Sequence, residues 1–306
     1  MCERKWEPNP LLGGARGVRP WGGWKFAATP HPVCCASHPS EEGIFLGDKL
    51  MNLASSKLRF EQDGFLRVEN LFSGEKLLEL ERELKLYNES VVPTLPAGDI
   101  VYETDTPTGE RTGIRNLWRM EKYSSYFDEF AHQPQVIDLV RTLVNGEPVL
   151  MAVELFAKPA RVGSAVPYHQ DNGYFNLTPP DALTFWLALD DSTVENGCVY
   201  YARGSHRQGV LPHKASLVPG NSWGLAERPD PSQLDEVPGI IGRGSSILHH
   251  CCLLHRSEKN LSDRPRRGLL MVFKGAHCTV NTAGMELYLA AAKALQEHVA
   301  SQKATV

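Results

Sequence analysis

The segment Pro167-Tyr168-His169-Gln170-Asp171-Asn172 sets an imidazole and a carboxylate two residues apart, after an apolar run and a Gly/Ser turn. Side chains of an extended strand alternate, so His169 and Asp171 are expected on one face, where both can grip one ion. Further along comes His249-His250-Cys251-Cys252-Leu253-Leu254-His255-Arg256-Ser257, which plants three histidines in an otherwise apolar stretch. A buried imidazole must satisfy two ring nitrogens, and a metal ion does so well. For His249 and His250 the plainer reading is a hydrogen-bonded core histidine. Two histidines and one carboxylate leave open positions on Fe(II) that can hold a bidentate co-substrate and O2. The same donors suit zinc and a metal-activated water, so a zinc-dependent hydrolase is the rival chemistry. A third element is Arg264-Pro265-Arg266-Arg267, leading into an apolar strand. A dicarboxylate that chelates iron at one end needs a planar cation for its far carboxylate, and Arg offers that fork where Lys does not. Ser257 could add a hydroxyl donor to the same carboxylate. Arg264 and Arg267 read as a solvated basic turn, with alternation sending Arg267 to the opposite face.

The elements that must position these groups change in character along the chain. Residues 1–50 are rich in Pro, Gly and Trp, show no helical or strand period, and contain no apolar stretch of signal-peptide type, so a disordered N-terminal extension is expected there. A slight basic excess leaves a mitochondrial transit peptide as the alternative. From residue 51 to 306 a single domain is expected. Asp63-Gly64 punctuates a short strand over 65–68, and Ser73 caps a helix with Leu77, Leu78, Leu80, Leu84 and Leu86 on its apolar side. One further helical region is expected over 126–144, and a last helix over 285–298. Between them lie short β-prone runs at 150–157, 182–189, 198–202, 246–250 and 269–274, separated by Gly, Pro, Asp and Asn. Residues 210–239 read as a long loop of the kind that covers or shapes a binding site. Helices first and strands later suggest an antiparallel sandwich or barrel with helices packed outside.

Composition narrows the function classes. Apolar residues make up 42% and charged residues 22% of the 306, the balance of a globular chain able to bury a substantial core. A net charge of -4 supplies no basic field for nucleic acid or an anionic membrane. No apolar run reaches bilayer length. Seven cysteines, an odd number with two adjacent pairs, give no disulfide framework, and reduced thiols in a cytoplasmic setting are expected.

Several stretches, taken in order, resemble the phytanoyl-CoA dioxygenase family. They are Phe60-Glu61-Gln62-Asp63-Gly64-Phe65-Leu66, similar to the family's opening strand, then Lys158-Pro159 ahead of the His-x-Asp, and Trp186-Leu187-Ala188-Leu189-Asp190-Asp191. Glu195-Asn196-Gly197-Cys198, Gly204-Ser205-His206, and His255-Arg256-Ser257 with Arg266 follow. The resemblance covers about residues 58–275 and is specific as an ordered set. It implies a mainly β fold with flanking helices, the double-stranded β-helix (jelly roll, cupin-like). It implies an oxidoreductase, an Fe(II)- and 2-oxoglutarate-dependent dioxygenase that hydroxylates a small organic or acyl substrate with release of succinate and CO2. His169, Asp171 and His255 would be the iron ligands and Arg266 the 2-oxoglutarate anchor. Trp186 and Ser257 match positions lining the co-substrate pocket, and Arg115 lies where relatives place a polar contact to it. Asp171 occupies the position that halogenating relatives leave without a carboxylate, so halogenation is disfavoured. The alternative within the family is a non-catalytic binding protein. Substrate identity, oligomeric state and the choice between hydroxylation, desaturation and cyclisation stay open.

Overall fold

The computed structural model describes residues 43–46, 49–104, 110–218 and 221–303, all within one compact unit, Glu41–Val306. The expected extension over residues 1–50 therefore lies outside the described residues, apart from a hairpin of β1 (Gly43–Leu46) and β2 (Lys49–Asn52). Helix α1 (Leu53–Asp63) starts where the Asn52 side chain accepts the Ser55 N–H, and stops at Gly64, whose φ of 84° is a left-handed conformation that glycine adopts without strain. Residues 60–63, grouped with an opening strand by resemblance, are thus the end of a helix capped at both ends, and β3 (Phe65–Val68) begins only after the glycine. In α2 (Gly74–Ser90) the buried residues are Leu77, Leu80, Leu84 and Tyr87, whereas Leu78 and Leu86 face solvent. The single helix expected over 126–144 is two, α3 (Ser125–Ala131) and α4 (Pro134–Leu143). Pro134 has no N–H to donate and keeps the preceding residue out of helical geometry, so it can open a helix but not continue one.

Strands β4 (Ile100–Thr104), β5 (Arg111–Leu117), β6 (Pro148–Lys158), β9 (Ala182–Ala188), β14 (Ser246–His250) and β16 (Arg266–Gly275) join β3 in a seven-stranded sheet of order β3-β14-β9-β16-β6-β5-β4. A second sheet has the order β13-β10-β15-β7, from β7 (Val166–His169), β10 (Val199–Ala202), β13 (Glu236–Pro238) and β15 (His255–Ser257). Residues 210–239, expected as loop, contain β13 and a separate hairpin of β11 (His213–Val218) and β12 (Asn221–Leu225). The short pair β8 (Leu177–Thr178) and β17 (Thr279–Val280), a one-turn helix α5 (Asn172–Phe175), and α6 (Thr282–Lys303) complete the described elements.

The expectation of a mainly β double-stranded β-helix is corrected by this arrangement. Among the described residues the strands fall into five separate sheets, each running open from one edge strand to the other, and none closes into a barrel. With α1–α4 and α6 added, the architecture among the described residues is a mixed α/β one. The helices are not ornaments on a β core. Leu77, Leu80, Leu84, Phe127, Phe130, Val136, Leu139 and Val140 form one continuous cluster with Val153, Leu155, Phe185, Leu187, Leu269, Met271 and Phe273 of the large sheet. Its other face meets the four-stranded sheet through a smaller cluster that includes Trp186, Ile247 and Leu270 on one side and Tyr201 on the other. Two rows of neighbours cross that inner face. One is Ile247–Trp186–Leu270–Glu154 and the next is His249–Thr184–Val272–Ala152. Among the described residues no helix is long and apolar enough to cross a membrane.

Candidate metal centre

The site is assembled where the two sheets face each other. Strand β7 ends at His169, and antiparallel pairing with β15 sets His255 directly opposite it, with ring centroids 4.1 Å apart. Asp171 is not on the strand. It has left-behind helical angles (φ -61°, ψ -33°) as the residue opening α5, so a turn brings its carboxylate back to the imidazoles rather than strand alternation. Its Oδ1 lies 3.8 Å from His169 Nε2 and 3.4 Å from His255 Nε2. Donor atoms of the three residues all fall within 4.8 Å of one another. In both histidines Nδ1 lies 2.9 Å from a carbonyl two residues back, that of Pro167 or of Leu253. A proton on Nδ1 donated to that carbonyl orients each ring with Nε2 toward the shared site, where a metal would take the place of the Nε2 proton.

The second oxygen of Asp171 is held separately. Thr184 Oγ1 donates to Oδ2 at 2.5 Å, and His249 Nε2 sits 3.0 Å from it. Both come from the row on the large sheet described above. His249, read from sequence as a core histidine, is buried and its Nδ1 has no partner among the described residues. His250 turns to the other side of β14, where its Nδ1 accepts the Cys252 N–H. The stretch 249–255 is therefore two strands in two different sheets joined by a tight turn, so that His249 and His255 converge on one carboxylate from opposite sides. Burial alone would raise the Asp171 carboxyl, but the His255 charge and the hydrogen bonds from His249 and His255 hold it well below its ordinary value. Burial and the neighbouring His255 push His169 down to about 3. For His255, burial is outweighed by the charge and hydrogen bond of Asp171, and the pKa is raised. Two imidazoles and one carboxylate on one face are the facial triad of a non-haem iron centre, and the donor set fits that ion.

Beside the triad lies a cationic pocket. Arg266 is 4% exposed, and among the described residues its guanidinium has neither hydrogen bond nor ion pair, with Nε orphaned. The guanidinium stands 5.3 Å from the Trp186 ring. Burial pulls its pKa down to about 10. Arg115 lines the same small cavity, together with Lys158, which pairs in register with Arg266. Arg115 is already neutralised by Glu103 at 2.7 Å, and Glu103 also accepts from Ser164. Lys158 donates to the carbonyls of Ser164 and Glu258, and burial with the nearby arginines pushes it down to about 6. Ser257 is buried on β15, opposite Val166. Tyr201 links the two halves of the site, its ring 6.1 Å from that of His255 and 5.3 Å from that of His249.

Sequence reasoning missed Thr184, His249 and Tyr201 as parts of this site. Their signal is cross-strand register, which a single sequence does not display. Arg267, read as solvated, instead donates to both Asp190 and Glu81, tying β16 to α2.

Comparison with known proteins agrees with the site. Over 143 residues the chain is 33% identical to a phytanoyl-CoA dioxygenase of Arabidopsis thaliana, covering 46% of this chain and 49% of the relative. Over 141 residues it is 36% identical to phytanoyl-CoA dioxygenase domain-containing protein 1 of Bos taurus, covering 44% and 48%. These matches span about half the length of each relative. Among solved structures, the epimerase SnoN in complex with Fe3+, alpha ketoglutarate and nogalamycin RO superposes with a TM-score of 0.60. It is 22% identical and the match covers 74% of this chain and 85% of SnoN, a likeness of fold. The profile of one family matches residues 60–268, well over half of the chain, and so takes in the triad and Arg266: the chain belongs to the phytanoyl-CoA dioxygenase (PhyH) family.

Proposed function

We propose that the protein is an Fe(II)- and 2-oxoglutarate-dependent dioxygenase that hydroxylates a small organic substrate, releasing succinate and CO2. One observation carries the reading. A guanidinium buried without a counter-ion is costly, and among the described residues Arg266 is buried in that way within the same interior as two histidines and an aspartate. An anion with one end for the metal and a carboxylate for Arg266 removes that cost. The epimerase SnoN, similar in fold, was crystallised with the same pair, iron and alpha ketoglutarate.

In this reading His169 Nε2, His255 Nε2 and Asp171 Oδ1 hold the iron. Bound there, iron supplies the redox chemistry that couples O2 to oxidative decarboxylation of 2-oxoglutarate and oxidation of the substrate. Thr184 and His249 restrain Oδ2 of Asp171, so that Oδ1 stays toward the imidazoles. Arg266, over the Trp186 ring, binds the far carboxylate, with Arg115 lining the same cavity and Ser257 as a further hydroxyl donor. The apolar cluster around Trp186, Leu270 and Ile247 excludes water from the interior.

The test is 2-oxoglutarate turnover with Fe(II), with Zn(II) as control. His169→Ala, Asp171→Ala and His255→Ala should each abolish Fe(II)-dependent succinate formation while the far-UV spectrum is retained. Wild-type turnover in any of them removes that residue from the ligand set. Hydrolytic activity with Zn(II) and none with Fe(II) would overturn the reading as a whole.

A further inference from the structure

Among the described residues three groups of donor side chains could share an ion, and two of them lie outside the iron centre. His250, Cys251 and Cys252 are consecutive in the chain, and His250 Nδ1 is already taken by the Cys252 N–H. The other group, Asp181, His277 and Cys278, is assembled by the fold. Asp181 stands just before β9, whereas His277 and Cys278 sit in the turn between β16 and β17.

The atoms of this group are spaced as ligands of one ion are. His277 Nε2 lies 3.4 Å from Asp181 Oδ2 and 3.8 Å from Cys278 Sγ, and donors of all three fall within 4.8 Å of one another. The first separation is longer than an ordinary hydrogen bond. A tetrahedral zinc ion, from its usual bond lengths, holds N and O ligands about 3.3 Å apart and N and S ligands about 3.6 Å apart. The surroundings fix the donors in place. Asp181 Oδ2 accepts the Asn145 N–H at 2.8 Å, just beyond the end of α4, and the Asp181 carbonyl accepts the Gly275 N–H at 3.0 Å and the Cys278 thiol at 3.3 Å. The imidazole lies over Gly275, where an added Cβ would come within 2.6 Å of the ring. Cys278 is buried, while the His277 side chain is 44% exposed, which leaves an entry path and a side open to a water ligand.

We propose that Asp181, His277 and Cys278 form a second metal site, separate from the iron centre, for a divalent ion of the zinc class. A thiolate, an imidazole and a carboxylate are the mixed donor set that such an ion accepts. On binding, a bond from sulfur to the ion replaces the Cys278 S–H, and the proton leaves to solvent. The ion ties β9 and the end of α4 to the turn from which β17 and then α6 start. Tyr288 of α6 packs 5.5 Å from the Tyr174 ring, which is 5.9 Å from that of His169, so the site is a staple at the foot of a helix that reaches toward the iron centre. It stands whether or not the oxygenase reading does.

The test is a titration of the metal-free full chain with Co(II), which gives a near-ultraviolet charge-transfer band only where a thiolate is a ligand. The iron triad contains no sulfur, so it stays silent in this measurement. The band should appear in the wild type and in His169→Ala, and vanish in Cys278→Ser. His277→Ala and Asp181→Asn should weaken Co(II) binding by about tenfold or more, no less than loss of an outer partner does at a metal site. Zn(II) should bleach the band, and in the His169→Ala background it should raise the thermal midpoint unless Cys278→Ser is also present. Thermal melts show which variants are folded, and His277→Ala, whose side chain is largely outside the core, keeps the test decisive should Cys278→Ser not be. No band in the wild type, or one that needs Co(II) in large excess, would overturn the site. So would a band that persists in folded Cys278→Ser and disappears in Cys252→Ser, which places the ion on the other cysteine cluster.

Discussion

Arg266 and Asp171 are each defined by what their atoms lack or hold. Arg266→Lys keeps the charge and loses the planar fork, so the KM for 2-oxoglutarate should rise roughly ten- to a hundred-fold, the equivalent of about 1.5–3 kcal/mol for a charged hydrogen bond. Arg266→Ala should be worse, and iron binding should survive both, as competition with a metal indicator would show. For Asp171, the partners of Oδ2 make a different prediction. His249→Ala and Thr184→Val free the carboxylate to rotate, and loss of such outer partners costs about ten- to a hundred-fold in metal affinity. Unchanged iron affinity in both variants would show that the triad geometry is set without them.

At the level of elements, strand β16 carries two neighbouring arginines with opposite duties, because alternation sends them to opposite faces. Arg267 clamps β16 to Asp190 and to Glu81 of α2. Arg267→Ala should therefore cost about 1.5–3 kcal/mol of stability in urea unfolding, with the KM for 2-oxoglutarate unchanged. The next residue on the site face, Gly268, is pressed against Trp186: an added Cβ would lie 2.3 Å from the indole ring. Gly268→Ala should cost about 1–3 kcal/mol through overpacking and, by displacing the ring beneath Arg266, should also raise the KM. A Gly268→Ala protein with wild-type KM would separate Trp186 from the anchoring of the co-substrate.

Seen whole, the described domain depends on contacts made from residue 52 onward. The Asn52 side chain caps α1, and α1 ends on Gly64, whose conformation feeds β3 into the edge of the large sheet. Removing residues 1–50 leaves Asn52 and the whole of α1 in place. The shortened protein should therefore unfold within about 1 kcal/mol of the full chain, the scale of a lost terminal hairpin, and keep its 2-oxoglutarate turnover. Aggregation of the shortened chain beside a well-behaved full chain would assign the missing residues a structural task.

Local pattern together with the family resemblance nominated His169, Asp171, His255 and Arg266, and pattern placed β9, β14 and the core of β16, since donor types, apolar runs and turn residues are written in adjacent positions. Pro134 and the Asn52–Gly64 capping pair were equally visible there, yet the split of α3 from α4 and the helical state of residues 60–63 went unread. The tertiary structure decided matters of partnership. It took Asp171 off the strand and returned it by a turn, separated His249 and His255 into facing sheets, and set Thr184 against the carboxylate. It also gave Arg267 two acids and left Arg266 with none among the described residues. It replaced the expected closed β architecture with open sheets, one of them sharing its core with helices. The physical reason is common to all of these. Periodicity and capping act within a few residues, whereas register and counter-charge are settled between strands far apart in the chain, where only the folded pairing determines which side chains meet.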